Sequence, residues 1–174
     1  MKYIINFFIF STLLLAKYSS SQIQTLQTIR DIAKTIPSKT GQTYENTLAA
    51  ICITESSAGV NIIGDKNLKE NITKASLGPM QIRIQTARYL GNKYTTLDWI
   101  NNLNDKDLAN VLLKNVECSA QISAYLLIDL EQRRSNYFQI VSGYNGGIIN
   151  KPYFYRVARN LKDIHQMIKK GILK

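Results

Sequence analysis

The stretch ICITESSAGV, residues 51–60, decides how this chain is read. Taken as a helix, Leu48, Ile51, Cys52 and Glu55 fall at i, i+3, i+4 and i+7, on a single face. Three of these side chains belong in a core; the fourth is a carboxylate. Packed among Leu48, Ile51 and Cys52, Glu55 would lose hydration, which penalises its charged form and raises its pKa. A general acid needs that shift near neutral pH. Alone, the pattern has a plainer reading, because acids at helix edges are commonly solvated or ion-paired.

Outward from this helix, which spans about Thr43 to Ser57, the pattern is helical almost throughout. Leu26, Ile29, Ala33 and Ile36 mark a helix that stops at Pro37. Residues 59–78 keep no sustained period and read as a long loop with room for a short irregular hairpin. A helix is expected from about Pro79, favourable in a first turn, to Leu90. A polar connection holding Trp99 follows. The most apolar internal stretch, NVECSAQISAYLLIDL, predicts a central buried helix over roughly 115–133. A short helix then ends in the turn SGYNGG, and the last helix, from Tyr153 on, carries Phe154, Val157, Leu161, Ile164 and Ile168 on one face. The fold class is all-α.

Residues 1–21 stand apart. Lys2 precedes an apolar run from Tyr3 to Ala16 that is short for a membrane span, followed by small polar residues, which is the pattern of a secretory signal peptide. Ser19 and Ser21 satisfy the small-x-small rule, making Gln22 the first mature residue; cleavage after Ala16 is the alternative. With no Cys after the run, no lipid anchor is expected, and the destination is the periplasm. Residues 22–174 form one domain, large enough to bury a core without staples.

The whole chain of 174 residues carries a formal charge of +10, and losing Lys2 and Lys17 with the leader leaves +8. The basic residues are spread along the chain without aromatic interleaving, which argues against a nucleic-acid groove and for attraction to an anionic wall or membrane. Cys52 and Cys118 either pair in an oxidising compartment or remain two small thiols; the sequence leaves both open. His165 is the only histidine and no Cys-x-x-Cys occurs, so a metal site is not expected.

Two further stretches accompany Glu55-Ser56. In SLGPMQI, residues 76–82, Gly78 permits close backbone approach, and Met80 and Gln81 are placed in a helical first turn that offers an apolar surface, an amide and free N–H groups. A sugar bearing an N-acetyl group uses all three, although an ordinary helix entry explains the stretch equally. In SGYNGG, residues 142–147, Tyr144 and Asn145 stand before glycines free to take positive φ; a helix C-cap accounts for Gly146 and Gly147 but not for the two polar residues.

The set, in this order and spacing, resembles the lytic transglycosylases of the soluble-transglycosylase type, which share a lysozyme-like fold with goose-type lysozymes. The matching residues are Glu55 and Ser56; Gly78, Met80, Gln81 and Ile82; Ala124 and Leu127; and Tyr144, Asn145 and Gly147. Thr86-Ala87 and the stretch KPYFYRV, residues 151–157, are also similar to the family. The resemblance covers roughly residues 40–160. Pro79 stands where the family usually has Leu, and Ala75-Ser76 where many members have Gly-Ala, which bears on subsite preference. The small size is similar to specialised members that accompany envelope-spanning secretion or conjugation machines.

The resemblance implies cleavage of the β-1,4 bond between N-acetylmuramic acid and N-acetylglucosamine in peptidoglycan, by a monomer without cofactors. Glu55 is then the single acid and base, Tyr144 hydrogen-bonds and orients it, and Met80 and Gln81 line the cleft. Ser56, Ser76, Gly78, Asn145 and Gly147 complete the substrate contacts. Three rivals remain. A goose-type muramidase would hydrolyse the same bond with a second carboxylate, for which Asp65 is best placed. A non-catalytic wall-binding assembly factor would have no use for a desolvated acid. A membrane-active protein rests only on the charge and on the cationic last helix.

Overall fold

A computed structural model describes residues 17–64 and 72–174, and the described residues form helices with no β-strand among them. They are α1 (Ser20–Lys34), α2 (Glu45–Ser56), α3 (Ile84–Lys93), a 3-10 helix (Thr95–Asn102), α4 (Asp105–Lys114), α5 (Val116–Arg133), α6 (Tyr137–Tyr144) and α7 (Lys151–Lys169). The all-α expectation holds.

Most helix starts are written locally. Asn104, Asn115, Asn136 and Asn150 cap α4, α5, α6 and α7, each accepting from the backbone N–H three residues on. Ser19 opens α1 in a reciprocal capping box with Gln22. Tyr18 is buried, and its hydroxyl meets Asp163 of α7 at 3.2 Å. Tyr18–Ser21, which the sequence assigns to the leader, are therefore part of this fold; residues 1–16 lie outside the described residues.

The central helix is α5, buried from Ser119 to Leu130 on almost every side and packed against α1, α4 and α6. Beside it, α2 packs on α1 and α7. Leu48, Ala49, Ala50, Ile51 and Cys52 are all fully buried. On the other face of α2, the Asn160 side-chain amide donates to the Thr54 hydroxyl at 2.9 Å and fixes the register with α7.

Two segments differ from expectation. The helix expected from Pro79 begins at Ile84 instead, because Gly78–Gln81 form a tight turn closed by two bonds, Leu77 N–H to Ile82 O (3.0 Å) and Ile82 N–H to Leu77 O (2.9 Å). Gln81 takes φ +51°, which no helical first turn allows. The polar connection after α3 contains the 3-10 helix and α4, where Leu97, Ile100, Leu108 and Leu112 face the core among polar neighbours. The 59–78 loop is pinned by an isolated bridge between Ile63 and Leu77.

Both cysteines are free. Cys52 is buried, its sulfur 3.7 Å from the Ser56 hydroxyl, while Cys118 lies in the first turn of α5, its N–H bonded to the Asn115 cap. The open question of a Cys52–Cys118 pair thus resolves to two thiols in this structure.

Candidate active site

Glu55 occupies the last turn of α2, where the helix stops in consecutive left-handed residues: Ser57 (φ 54°), Ala58 (φ 58°) and Gly59 (φ 88°). Two non-glycine residues in this conformation store strain, which the packing around them must over-determine. Ser56 provides much of that packing. Its fully buried hydroxyl donates to the Pro79 carbonyl (2.7 Å) and accepts from Gly59 N–H (2.8 Å). One side chain therefore fastens the acid-bearing helix to the 78–81 turn. Placed there, Ser56 is a brace behind the cleft, not one of its lining residues.

Glu55 itself is half-buried and faces a cleft of about 350 Å³ lined by Ser76, Gln81, Ile82, Arg83, Thr86, Leu126, Tyr144, Asn145 and Gly146. Among the described residues it is the one carboxylate in that lining. Burial raises its pKa above the ordinary carboxylate value; a hydrogen bond from Tyr153 and the nearby positive charge of Arg156 oppose the shift without cancelling it. Tyr153 OH donates to Glu55 Oε1 at 2.6 Å. With Tyr153 almost fully buried at the start of α7, its own pKa is driven far up by burial and by the neighbouring carboxylate, so it remains a donor.

This arrangement changes the expected part of Tyr144. Its hydroxyl donates to the Met80 carbonyl at 2.9 Å and lies 3.0 Å from Ser123 Oγ. A phenol has one proton to give, so the bond to Met80 leaves none for Glu55. Tyr144 fastens the 78–81 turn to α5 and α6, and its ring lines the cleft. Tyr153 takes the contact with the acid, and its sequence signal is the KPYFYRV stretch.

The remaining expected residues divide. Ser76, Gln81 and Asn145 line the cleft. Gln81 donates its amide protons to Gly78 O (2.8 Å) and Asn61 O (3.2 Å), and Asn145 Oδ1 accepts from the Asn150 amide at 3.0 Å. Met80 is fully buried and touches the site only through its carbonyl, and Gly78 is buried behind it. Gly146, with φ +88°, rather than Gly147, forms the rim. Arg83, Thr86 and Leu126 also line the cleft, although no sequence motif singles them out as substrate contacts. Among the described residues no group of side chains fits a metal ion. Asp65, the hydrolytic rival's second carboxylate, lies outside the described residues.

The family model for the transglycosylase SLT domain matches residues 35–165, a span containing Glu55, the 76–82 turn, Tyr144 and Tyr153. No curated protein and no solved structure matches the chain. Since that model covers well over half of its 174 residues, the chain belongs to the SLT transglycosylase domain family, lysozyme-like all-α domains whose members are lytic transglycosylases acting on peptidoglycan.

Proposed function

We propose that this protein is a peptidoglycan lytic transglycosylase that cleaves the bond between N-acetylmuramic acid and N-acetylglucosamine with Glu55 as its only acid and base. The observation that supports this reading is that, among the described residues, one desolvated carboxyl faces the cleft, held by a tyrosine that does not ionise. Tyr153 occupies Oε1, which leaves Oε2 to hold the proton. As the bond from C1 breaks, that proton passes to the departing glycosidic oxygen. The carboxylate then accepts the proton of the muramyl 6-hydroxyl as its oxygen closes on C1. Glu55 ends protonated and no water is consumed. The attacking hydroxyl belongs to the same sugar, so intramolecularity replaces the second carboxylate of ordinary glycosidases.

The test is the mass of the product. Digested wall should release muropeptides lighter by one water than those with a reducing end; products that carry the added water would assign hydrolysis instead.

Tyr153→Phe separates positioning from proton holding. Turnover requires protonated Glu55, which is present below its folded pKa and lost as pH rises through it. The Tyr153 hydrogen bond favours the charged form, so removing it lets burial raise the pKa further. The alkaline limb of the pH–rate profile should move to higher pH while the rate near the optimum falls about tenfold. A limb that stays in place would show that Tyr153 does not tune the acid.

We also infer export, with the leader removed after Ala16 rather than after Ser21. Cleavage after Ser21 would delete buried Tyr18 and the Ser19 cap, and such caps are worth about 1 kcal/mol. The N-terminal residue of the processed chain decides this: Lys17 is expected, and Gln22 would reject it.

A further inference from the structure

The cleft does not end at Thr86 and Leu126. Both residues also line a second cavity of about 370 Å³, together with Gln85, Tyr89 and Arg133. Along α3 its lining reaches from the shared Thr86 to Tyr89, three residues further on.

Beneath it sits Asp129 of α5, whose side chain is wholly buried. Lys93 and Arg133 both pair with it, one on each oxygen, and Tyr89 OH donates to Oδ1 at 3.1 Å. Burial acts to raise the Asp129 pKa, but the bonds from Lys93, Arg133 and Tyr89 outweigh it and hold the group below the ordinary carboxylate range. Two permanent cations thus converge on one anion, and the excess positive charge has its exposed side toward solvent: Lys93 retains 34% of its side-chain exposure and Arg133 48%. The Tyr89 ring, itself 46% exposed, lies beside both, with the Lys93 ammonium 5.9 Å and the Arg133 guanidinium 6.0 Å from its centroid. No carboxylate lines this cavity among the described residues. A buried ion pair is a poor source of stability, since desolvation offsets its attraction. What this one does is hold a half-open guanidinium and an aromatic face in place at the end of a glycan cleft.

We propose that the Tyr89–Arg133 cavity is a carboxylate subsite, in which Arg133, assisted by Lys93, binds an acidic group carried by a muramyl residue next to the cleaved bond while Tyr89 packs against the sugar face. This deepens the function proposed above and rests on it. Two sources supply the same chemistry: the free lactyl carboxylate of strands stripped of peptide, and the carboxylates of the stem peptide on intact strands. The site makes the enzyme select muramyl glycan over an uncharged chain of N-acetylglucosamine.

The test measures binding to the full-length Glu55→Gln protein, which does not turn over its ligand, with and without Arg133→Gln. Three soluble probes are used: peptide-bearing strands, peptide-free strands and neutral chitooligosaccharides. Arg133→Gln should weaken at least one charged probe about tenfold, the loss of one charge-assisted hydrogen bond, and change the neutral probe by less than about twofold. Which charged probe weakens identifies the source. Equal affinities before and after the substitution would overturn the subsite. Should Arg133→Gln fail to fold, Arg133→Lys keeps a positive charge beside Asp129 but loses the planar fork: it should weaken a charged probe and leave the neutral one unchanged, and unchanged affinity for both charged probes rejects the site. Binding of none of the three probes would instead overturn the function itself.

Discussion

Glu55→Gln should abolish lysis of cell wall in a gel-embedded substrate, and in solution the rate of release of muropeptides should fall by at least about 10²–10⁴, the range that a positioned proton donor contributes. The expected loss is severe because in the proposed mechanism the acid acts twice, first giving a proton to the leaving oxygen and then taking one from the attacking hydroxyl. A glutamine amide does neither. It does, however, fill the same space and still accepts the Tyr153 hydrogen bond through its carbonyl oxygen, so the cleft persists. Wild-type lysis by this variant would transfer the chemistry to another group and end the single-acid mechanism.

The same substitution carries a second signature of opposite sign. A carboxyl whose pKa is raised by folding contributes stability that is fully present below its unfolded pKa and lost as pH rises through its folded pKa. At pH 8 the charged form is therefore a burden on the native state, which glutamine removes. Glu55→Gln should melt higher than the wild type at pH 8, by on the order of 1 kcal/mol or about 2–4 °C for a domain of this size. The gap should close on acidification. Inactivation with a gain in stability is the mark of a group held for chemistry. Inactivation with a loss of stability would make Glu55 a structural residue, and the two readouts come from one protein preparation.

How far the sequence reaches follows from how local each signal is. The period of Leu48, Ile51 and Cys52 locates α2 to within two residues and sets Glu55 on its half-buried face, because side chains three and four apart share a helix face whatever lies beyond. The long apolar run marks α5 for the same reason. Four asparagine caps write helix starts into single residues. What is not legible depends on partners distant in the chain. Tyr144 and Tyr153 are chemically alike and nine positions apart, and which of them reaches Glu55 is decided by the packing of α7 on α2 and by the carbonyl of Met80 competing for the other hydroxyl. The 76–82 stretch reads as a helix entry because Pro79 suits a first turn. The bridge of Leu77 to Ile63, with Gly78 N–H bonded to Ile62 O at 2.7 Å, holds the stretch in the turn closed by Leu77 and Ile82 and overrides that preference.

Gly78→Ala should be the most damaging single substitution among the glycines of the described residues, and the reason is backbone, not side chain. Gly78 has φ +74°, where an L-residue is disfavoured by about 1–2 kcal/mol. A methyl group built on it would lie 1.8 Å from the Leu112 carbonyl oxygen and 2.8 Å from its carbon. That oxygen cannot turn aside, because it belongs to the last turn of α4 and also accepts from the Ser119 hydroxyl at 2.8 Å. The whole 78–81 turn would have to withdraw, taking with it the Pro79 carbonyl that receives Ser56 and the Met80 carbonyl that receives Tyr144. Strain and overpacking together should cost about 3–5 kcal/mol, a fall of about 10 °C in Tm, and lysis should be lost at temperatures where the protein is still folded. Gly146→Ala is the matched control: φ is +88°, but a methyl group there meets nothing within 4 Å, so only the conformational penalty applies. If the two variants melted within about 2 °C of each other, the close approach to Leu112 would not be what holds this wall of the cleft, because positive φ alone would then account for both.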